Sequence, residues 1–290
     1  MTVTFYGVRG STPAPGTAFA RYGGHTTCAA VALGDRVLVL DAGTGIRPLG
    51  RALLGRGDDL FVLLTHLHAD HVTGFPFFAP LYEEGRTIHL IDYEEASWSP
   101  LALFDGVHYP LRPGDLPCSV QRTREQPMAF LRAHGLPVTR QAVNHPGGAY
   151  GYRVGHEGQR FVFMPDNELG DESLVPRETI VAFCQGADVL CHDAQYLEDE
   201  IEERRGWGHS SVSEAVELAV EAGVGHLVLT HHDPDRTDDD LDRVQARARA
   251  ALGPHGIACT VAYEGLTFHL GEADPLPPDP GSVATKAQTL

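Results

Sequence analysis

The chain has 290 residues, 42% of them apolar, with a formal net charge of −17 and one lysine, Lys286. That apolar share suffices for a folded core, and no run of about 18 apolar residues reads as a membrane span. The acidic balance and the lack of any basic run argue against a long nucleic acid as partner. Five scattered cysteines (Cys28, Cys118, Cys184, Cys191 and Cys259) form no C-x-x-C pair. They suggest neither a disulfide framework nor a zinc ribbon, and they place the chain in a reducing cytoplasm.

In chain order, short runs rich in Val, Ile, Phe and Thr predict strands at 2–6, 27–33, 36–40, 60–64, 87–91, 138–143, 150–154, 160–164, 189–192, 226–230 and 267–270. MTVTFYGVRG, at the start, reads as the first of these and not as a leader. Helical spacing appears at 46–54, at 213–222, where Ser213 offers an N-cap and Gly223 a stop, and at 241–252. Strands dominate the first half, and strand–helix alternation marks the second. This pattern predicts an α/β fold of two sheets packed face to face with helices outside, in one layered domain over 1–270. The Pro-rich, aperiodic segment 271–290 reads as a disordered tail. The stretch 92–117 carries Trp98, Phe104 and Tyr109 among prolines. It reads either as a well-packed surface loop or as a lid over a site.

Residues 65–74, THLHADHVTG, place three histidines and an aspartate within six positions, directly after an apolar strand. His66 and His68, two apart, can project to one side as the strand opens. Asp70 and His71 follow where the chain turns into a helix and aim at a neighbouring point. One metal ion taking His66 and His68, and a second taking Asp70 and His71, is the natural arrangement. Imidazole with carboxylate suits Zn²⁺, Mn²⁺ or Fe²⁺.

The H-x-H-x-D-H motif resembles the signature of the metallo-β-lactamase superfamily, and the resemblance extends over roughly residues 2–270. It is closest to a phosphodiesterase-like branch with GVRGS, RYGG and DAGTG blocks, present here at 7–11, 21–24 and 41–45. That branch includes phosphoribosyl cyclic phosphodiesterases and is related to the tRNA 3′-end processing endonucleases. The resemblance implies an αββα sandwich of two mixed sheets and two divalent ions, Zn²⁺ above Mn²⁺ or Fe²⁺. It supplies three further ligands, each after a predicted strand: His145, a bridging Asp166, and His231. Spacing alone leaves His232 as the rival of His231. It also implies that His209, in GWGHSS, assists the leaving oxygen, with Asp193 of HDAQY holding it protonated. Asp70 serves there both as ligand and as orienter of the nucleophile.

The implied reaction is hydrolysis of a small or cyclic phosphodiester by a metal-bridging hydroxide. The alternative is attack on an acyl carbon, as in a thioesterase, lactonase or β-lactam hydrolase. No membrane partner is expected, and a homodimer is compatible with the sequence. Asp41 and Thr44 read either as supports for the metal-binding histidines or as turn residues. His25 stands where the branch usually has Asn, and reads as a hydrogen-bonded substitution or an added polar contact.

Overall fold

Strand residues alternate between two cores, and this alternation sets the layers. The computed structural model describes residues 1–91, 98–271 and 280. Its strands run in chain order as β1 (Thr2–Gly7), β2 (Cys28–Leu33), β3 (Arg36–Leu40), β4 (Asp59–Leu63), β5 (Thr87–Ile91) and β6 (Ser119–Thr123). After them come β7 (Val138–Val143), β8 (Ala149–His156), β9 (Gln159–Met164), β10 (Val189–Asp193), β11 (His226–Thr230), β12 (Ala258–Val261) and β13 (Thr267–His269). One sheet has the order β13-β1-β2-β3-β4-β5-β6 and the other β12-β11-β10-β9-β8-β7. In β3 and β4, Leu38, Leu40, Phe61 and Leu63 enter the core shared by both sheets. Their neighbours Val37, Val39, Leu60 and Val62 enter a second core on the outer face, as a side-chain period of two requires.

Helix α1 (Ile46–Leu53) covers that outer face through Ile46, Leu49 and Leu53. The short helix α2 (Ala69–Val72) follows β4, and α3 (Pro127–Ala133) precedes β7. Beyond the second sheet, α4 (Arg177–Cys184), α5 (Val212–Ala222) and α6 (Asp238–Leu252) bury Ile180, Leu218 and Leu241. The result is an αββα sandwich with two mixed sheets. No helix among the described residues is long and apolar enough to cross a membrane.

Both sheets follow one plan. β1, β2 and β3 form an antiparallel meander, after which β4, β5 and β6 add in parallel. Likewise β7, β8 and β9 form a meander and β10, β11 and β12 add in parallel. Therefore β1, β3 and β4 end on one edge of their sheet, and β7, β9, β10 and β11 end on one edge of theirs. The carboxyl ends of strands are where open α/β sheets gather ligands.

Several expectations need adjusting. Helix α5 is capped by Ser211, not Ser213, because only Ser211 stands three residues before Glu214 and can close a capping box. Strands β6 and β12 and helices α3 and α4 were not predicted. β6 is a mostly exposed polar edge, and β12 has only four residues. In α4, Thr179, Ile180 and Val181 bring strand-like chemistry to a helix. Phe104 is buried in the outer core and stacks edge-on to Phe75 and Tyr109, at 6.3 and 5.2 Å, so it anchors the 98–117 segment, while 105–108 and 112–115 stay exposed. Residues 92–97, and the tail apart from 271 and 280, lie outside the described residues.

Candidate metal centre

Strand β4 ends at Leu63, and the next eight residues turn over the sheet edge into α2. His66 and His68 stand before the helix, and Asp70 and His71 stand within it. Across the gap, β7 delivers His145, β9 delivers Asp166, β10 ends on Asp193, and β11 delivers His231. The side chains of His66, His68 and His145 form one group able to hold an ion. Asp70, His71 and His231 form a second, and Asp166 joins His66 and His71 in a third. Within each group the donor atoms lie within 4.8 Å of one another.

The imidazoles are oriented from behind. His71 Nδ1 donates to Asp41 Oδ2 (2.8 Å), His145 Nδ1 to the Gly208 carbonyl (2.8 Å), and His231 Nδ1 to Gln195 Oε1 (2.9 Å). The Thr65 hydroxyl donates to Asp41 Oδ2 (2.8 Å), which leaves its oxygen to accept from His66 Nδ1 (3.0 Å). With Nδ1 protonated in all four rings, each Nε2 lone pair is free to face inward, which is how proteins prepare histidine for a metal. His68 differs in presenting Nδ1, 3.0 Å from His145 Nε2.

Electrostatics point the same way. Burial alone would raise the Asp70 and Asp166 carboxyls. Instead His71 and His231 hold Asp70, and His231, His71 and His66 hold Asp166, well below the usual carboxylate range. Burial pushes the His66, His68 and His145 imidazoles down. Against burial, Asp166, Asp70 and Asp41 push His71 well up. The carboxylates thus call for positive charge at this point. Of three buried atoms there, His66 Nε2 has no hydrogen-bond partner, and His71 Nε2 and Asp166 Oδ2 face each other at 3.1 Å without a well-formed hydrogen bond. An uncompensated buried polar atom is costly, and a coordinated cation satisfies all three. The donor set therefore fits metal ions.

Beside this cluster, His209 Nδ1 donates to Asp193 Oδ2 at 2.7 Å, and its ring stacks on His231 with centroids 4.9 Å apart. Burial would lower the His209 pKa, but the Asp193 carboxylate, with Asp166 and Asp70 behind it, pushes it up to about 9. A proton donor thus stands against the edge of the cluster.

The structure brings together all eight residues singled out from the sequence here: His66, His68, Asp70, His71, His145, Asp166, His209 and His231, with Asp193 directly behind His209. His232 turns away and bonds the Ala262 carbonyl, where burial and Arg9 lower its pKa to about 3. Asp41 backs His71, whereas Thr44 accepts from the Thr26 amide and pairs with His25 Nδ1 (3.1 Å). Three residues escaped the sequence reading. The Ser11 amide donates to Asp70 Oδ2 at 2.7 Å, and Gln195 and the Gly208 carbonyl orient His231 and His145. Ser11 and Gln195 lie within the GVRGS and HDAQY blocks, which were the available signal. Ser11, Asp41 and His231 all take positive φ, at 62°, 63° and 58°.

Residues 36–232 match the beta-lactamase superfamily domain, and the chain belongs to that family, as a hydrolase with a metal-binding centre. Ribonuclease Z of Halobacterium salinarum is 28% identical, with 93% of this chain and 97% of that protein covered. Ribonuclease Z of Pseudomonas putida is 28% identical, covering 75% of this chain and 82% of that protein. Among solved structures, the metallo-beta-lactamase fold protein YhfI from Bacillus subtilis superposes with a TM-score of 0.69 at 21% identity, covering 92% of this chain and 98% of that one. A diphosphatase of the PhnP family gives 0.66 at 19%, covering 93% and 97%. Human tRNase Z, short form, gives 0.62 at 20%, covering 94% and 100%. At these identities the structures speak to the fold.

The relatives correct one expectation. A long nucleic acid was excluded on the net charge of −17, yet the Halobacterium relative, matched over nearly its whole length, is a ribonuclease. Net charge is a sum over the whole surface, whereas recognition of a phosphodiester is decided by the local field.

Proposed function

We propose that this chain is a dinuclear metal-dependent phosphodiesterase. The observation that carries the reading is the pairing of two three-residue donor groups across Asp166, with the His209–Asp193 pair at their edge. His66, His68 and His145 would hold one ion, Asp70, His71 and His231 the other, and Asp166 would serve both. Zinc suits the set best, with manganese or iron as alternatives. Two such ions, when bound, supply a hydroxide nucleophile at neutral pH and offset the charge of a phosphoryl group.

The residues do the rest. Asp70, held by the Ser11 amide, keeps one carboxylate oxygen fixed for orienting the nucleophile. His209 delivers its proton to the departing alkoxide, and Asp193 keeps that proton available until it is needed. The substrate we propose is a small or cyclic phosphodiester. What supports it is the single proton donor, His209, placed at the edge of the donor groups to assist one departing alkoxide. An RNA terminus is the second reading, favoured by the ribonuclease Z relatives. Five free cysteines, four of them buried, support a cytoplasmic location.

The deciding experiment compares bis(4-nitrophenyl) phosphate, 4-nitrophenyl phosphate and a thioester on metal-loaded enzyme, with metal content measured in parallel. A preference for the diester and two ions per chain are expected. Preference for the monoester or the thioester, or a single ion at full loading, would overturn the reading.

A further inference from the structure

Trp207 is 61% exposed, the bulkiest of the exposed apolar side chains among the described residues. A tryptophan left in water offers a large planar ring on which another planar group can stack. Its setting is rigid. Gly206 and Gly208 flank it at φ 84° and 90°, a region open to glycine at little cost. The Gly206 amide donates to both oxygens of Glu168 (2.9 and 3.0 Å), and the Gly208 amide donates to Glu168 Oε2 (2.8 Å). Glu168 itself is buried. One carboxylate therefore pins the turn on both sides of the indole.

The same turn is part of the centre. The Gly208 carbonyl orients His145, and a Cβ at Gly208 would stand 2.2 Å from His145 Nδ1. His209 is the next residue. The two arginines just before the turn are engaged, Arg204 over the Tyr196 ring and Arg205 with Glu214 at 2.8 Å. An exposed indole thus stands in the turn that carries the Gly208 carbonyl and His209. We propose that Trp207 is the platform on which a planar base of the phosphodiester stacks, so that the enzyme selects diesters that carry a nucleobase. The inference rests on the phosphodiesterase reading for its reaction, but not for its binding.

The test compares thymidine 5′-(4-nitrophenyl) phosphate with methyl 4-nitrophenyl phosphate, which share a leaving group and differ in the base. Trp207→Ala should lower kcat/KM on the thymidine ester about 10- to 100-fold, chiefly through KM. It should leave the methyl ester near wild type, and Trp207→Phe should recover most of the loss. Independently of turnover, adenosine 5′-monophosphate should quench a tryptophan emission component that is absent from Trp207→Ala, and ribose 5-phosphate should not. Equal losses on both esters, or none, would overturn the platform. If wild type cleaves neither ester, the phosphodiesterase reading fails, and the quenching alone decides the platform.

Discussion

In the first half of the molecule, six consecutive residues between β4 and the middle of α2 contribute four candidate ligands, His66, His68, Asp70 and His71. In the second half, β7, β9 and β11 contribute one each, and β10 ends on Asp193. Both halves share a sheet plan, so the difference lies in where the chemistry is loaded. A local cluster is positioned by its own turn. A dispersed set is positioned only by sheet register, since Val189 pairs with Phe161 on one side and His226 on the other. The dispersed half therefore depends on sheet register for its geometry, and the local half depends on its own turn together with two distant supports, Asp41 and the Ser11 amide.

The largest effect should come from Asp166, where the halves meet. Asp166→Ala should abolish turnover and release both ions, read by elemental analysis. Retention of a full pair of ions would show that the local cluster suffices and that the dispersed half is accessory.

Next in size is His209→Ala, which should keep both ions and lower kcat/KM by about 10²–10⁴ on a diester with an alkyl leaving group. The loss should shrink for a nitrophenolate, which departs without a proton. The sign of the pH dependence follows from the shift. The acid is protonated below its pKa, so activity on poor leaving groups should fall as pH rises through that pKa, which stands at about 9 without ions. Bound cations that offset Asp166 and Asp70 draw this limb lower, toward the ordinary imidazole value of about 6.5. Asp193→Asn should move it further down, and a limb indifferent to Asp193 would refute the pairing.

A smaller contrast sharpens the comparison further. The local half orients its histidine with a carboxylate, Asp41, and the dispersed half with an amide, Gln195. Asp41→Asn should cost about 10–100-fold in metal affinity, and Gln195→Ala should cost less, because a neutral acceptor polarises the ring weakly. Competition with a chelator measures both.

The smallest effect concerns scaffolding. Thr237 caps α6, its hydroxyl accepting from the Asp240 amide at 3.3 Å. Thr237→Ala should lower stability by about 1 kcal/mol in a urea melt, with metal content unchanged. A change in metal content would tie the dispersed half's outer helix to the centre.

The same contrast explains what could be read from the sequence. THLHADH is legible because neighbours in sequence are neighbours in space. His145, Asp166 and His231 stand after three different strands, each beside other polar residues such as Asn144, Asn167 and His232, and only the family resemblance gathers them. Ser11 was illegible for a different reason. Its contribution to Asp70 is a backbone N–H, which every residue but proline carries. The layered fold followed from strand runs and periodicity, while β6 and β12 were lost because polar edges and four-residue strands leave little pattern.

The left-handed backbone at Ser11, Asp41 and His231 has a consequence for engineering. Such conformations cost side-chain-bearing residues on the order of 1–3 kcal/mol each and persist where the surroundings over-determine them. Glycine removes the penalty. At Ser11 it also keeps the amide that holds Asp70, so Ser11→Gly is the substitution that releases tension without dismantling the centre. At Asp41 and His231 the strained backbone and the needed side chain belong to the same residue. There a sturdier fold and an intact centre are competing goals, and selection for heat resistance alone would tend to erode the centre from those two positions.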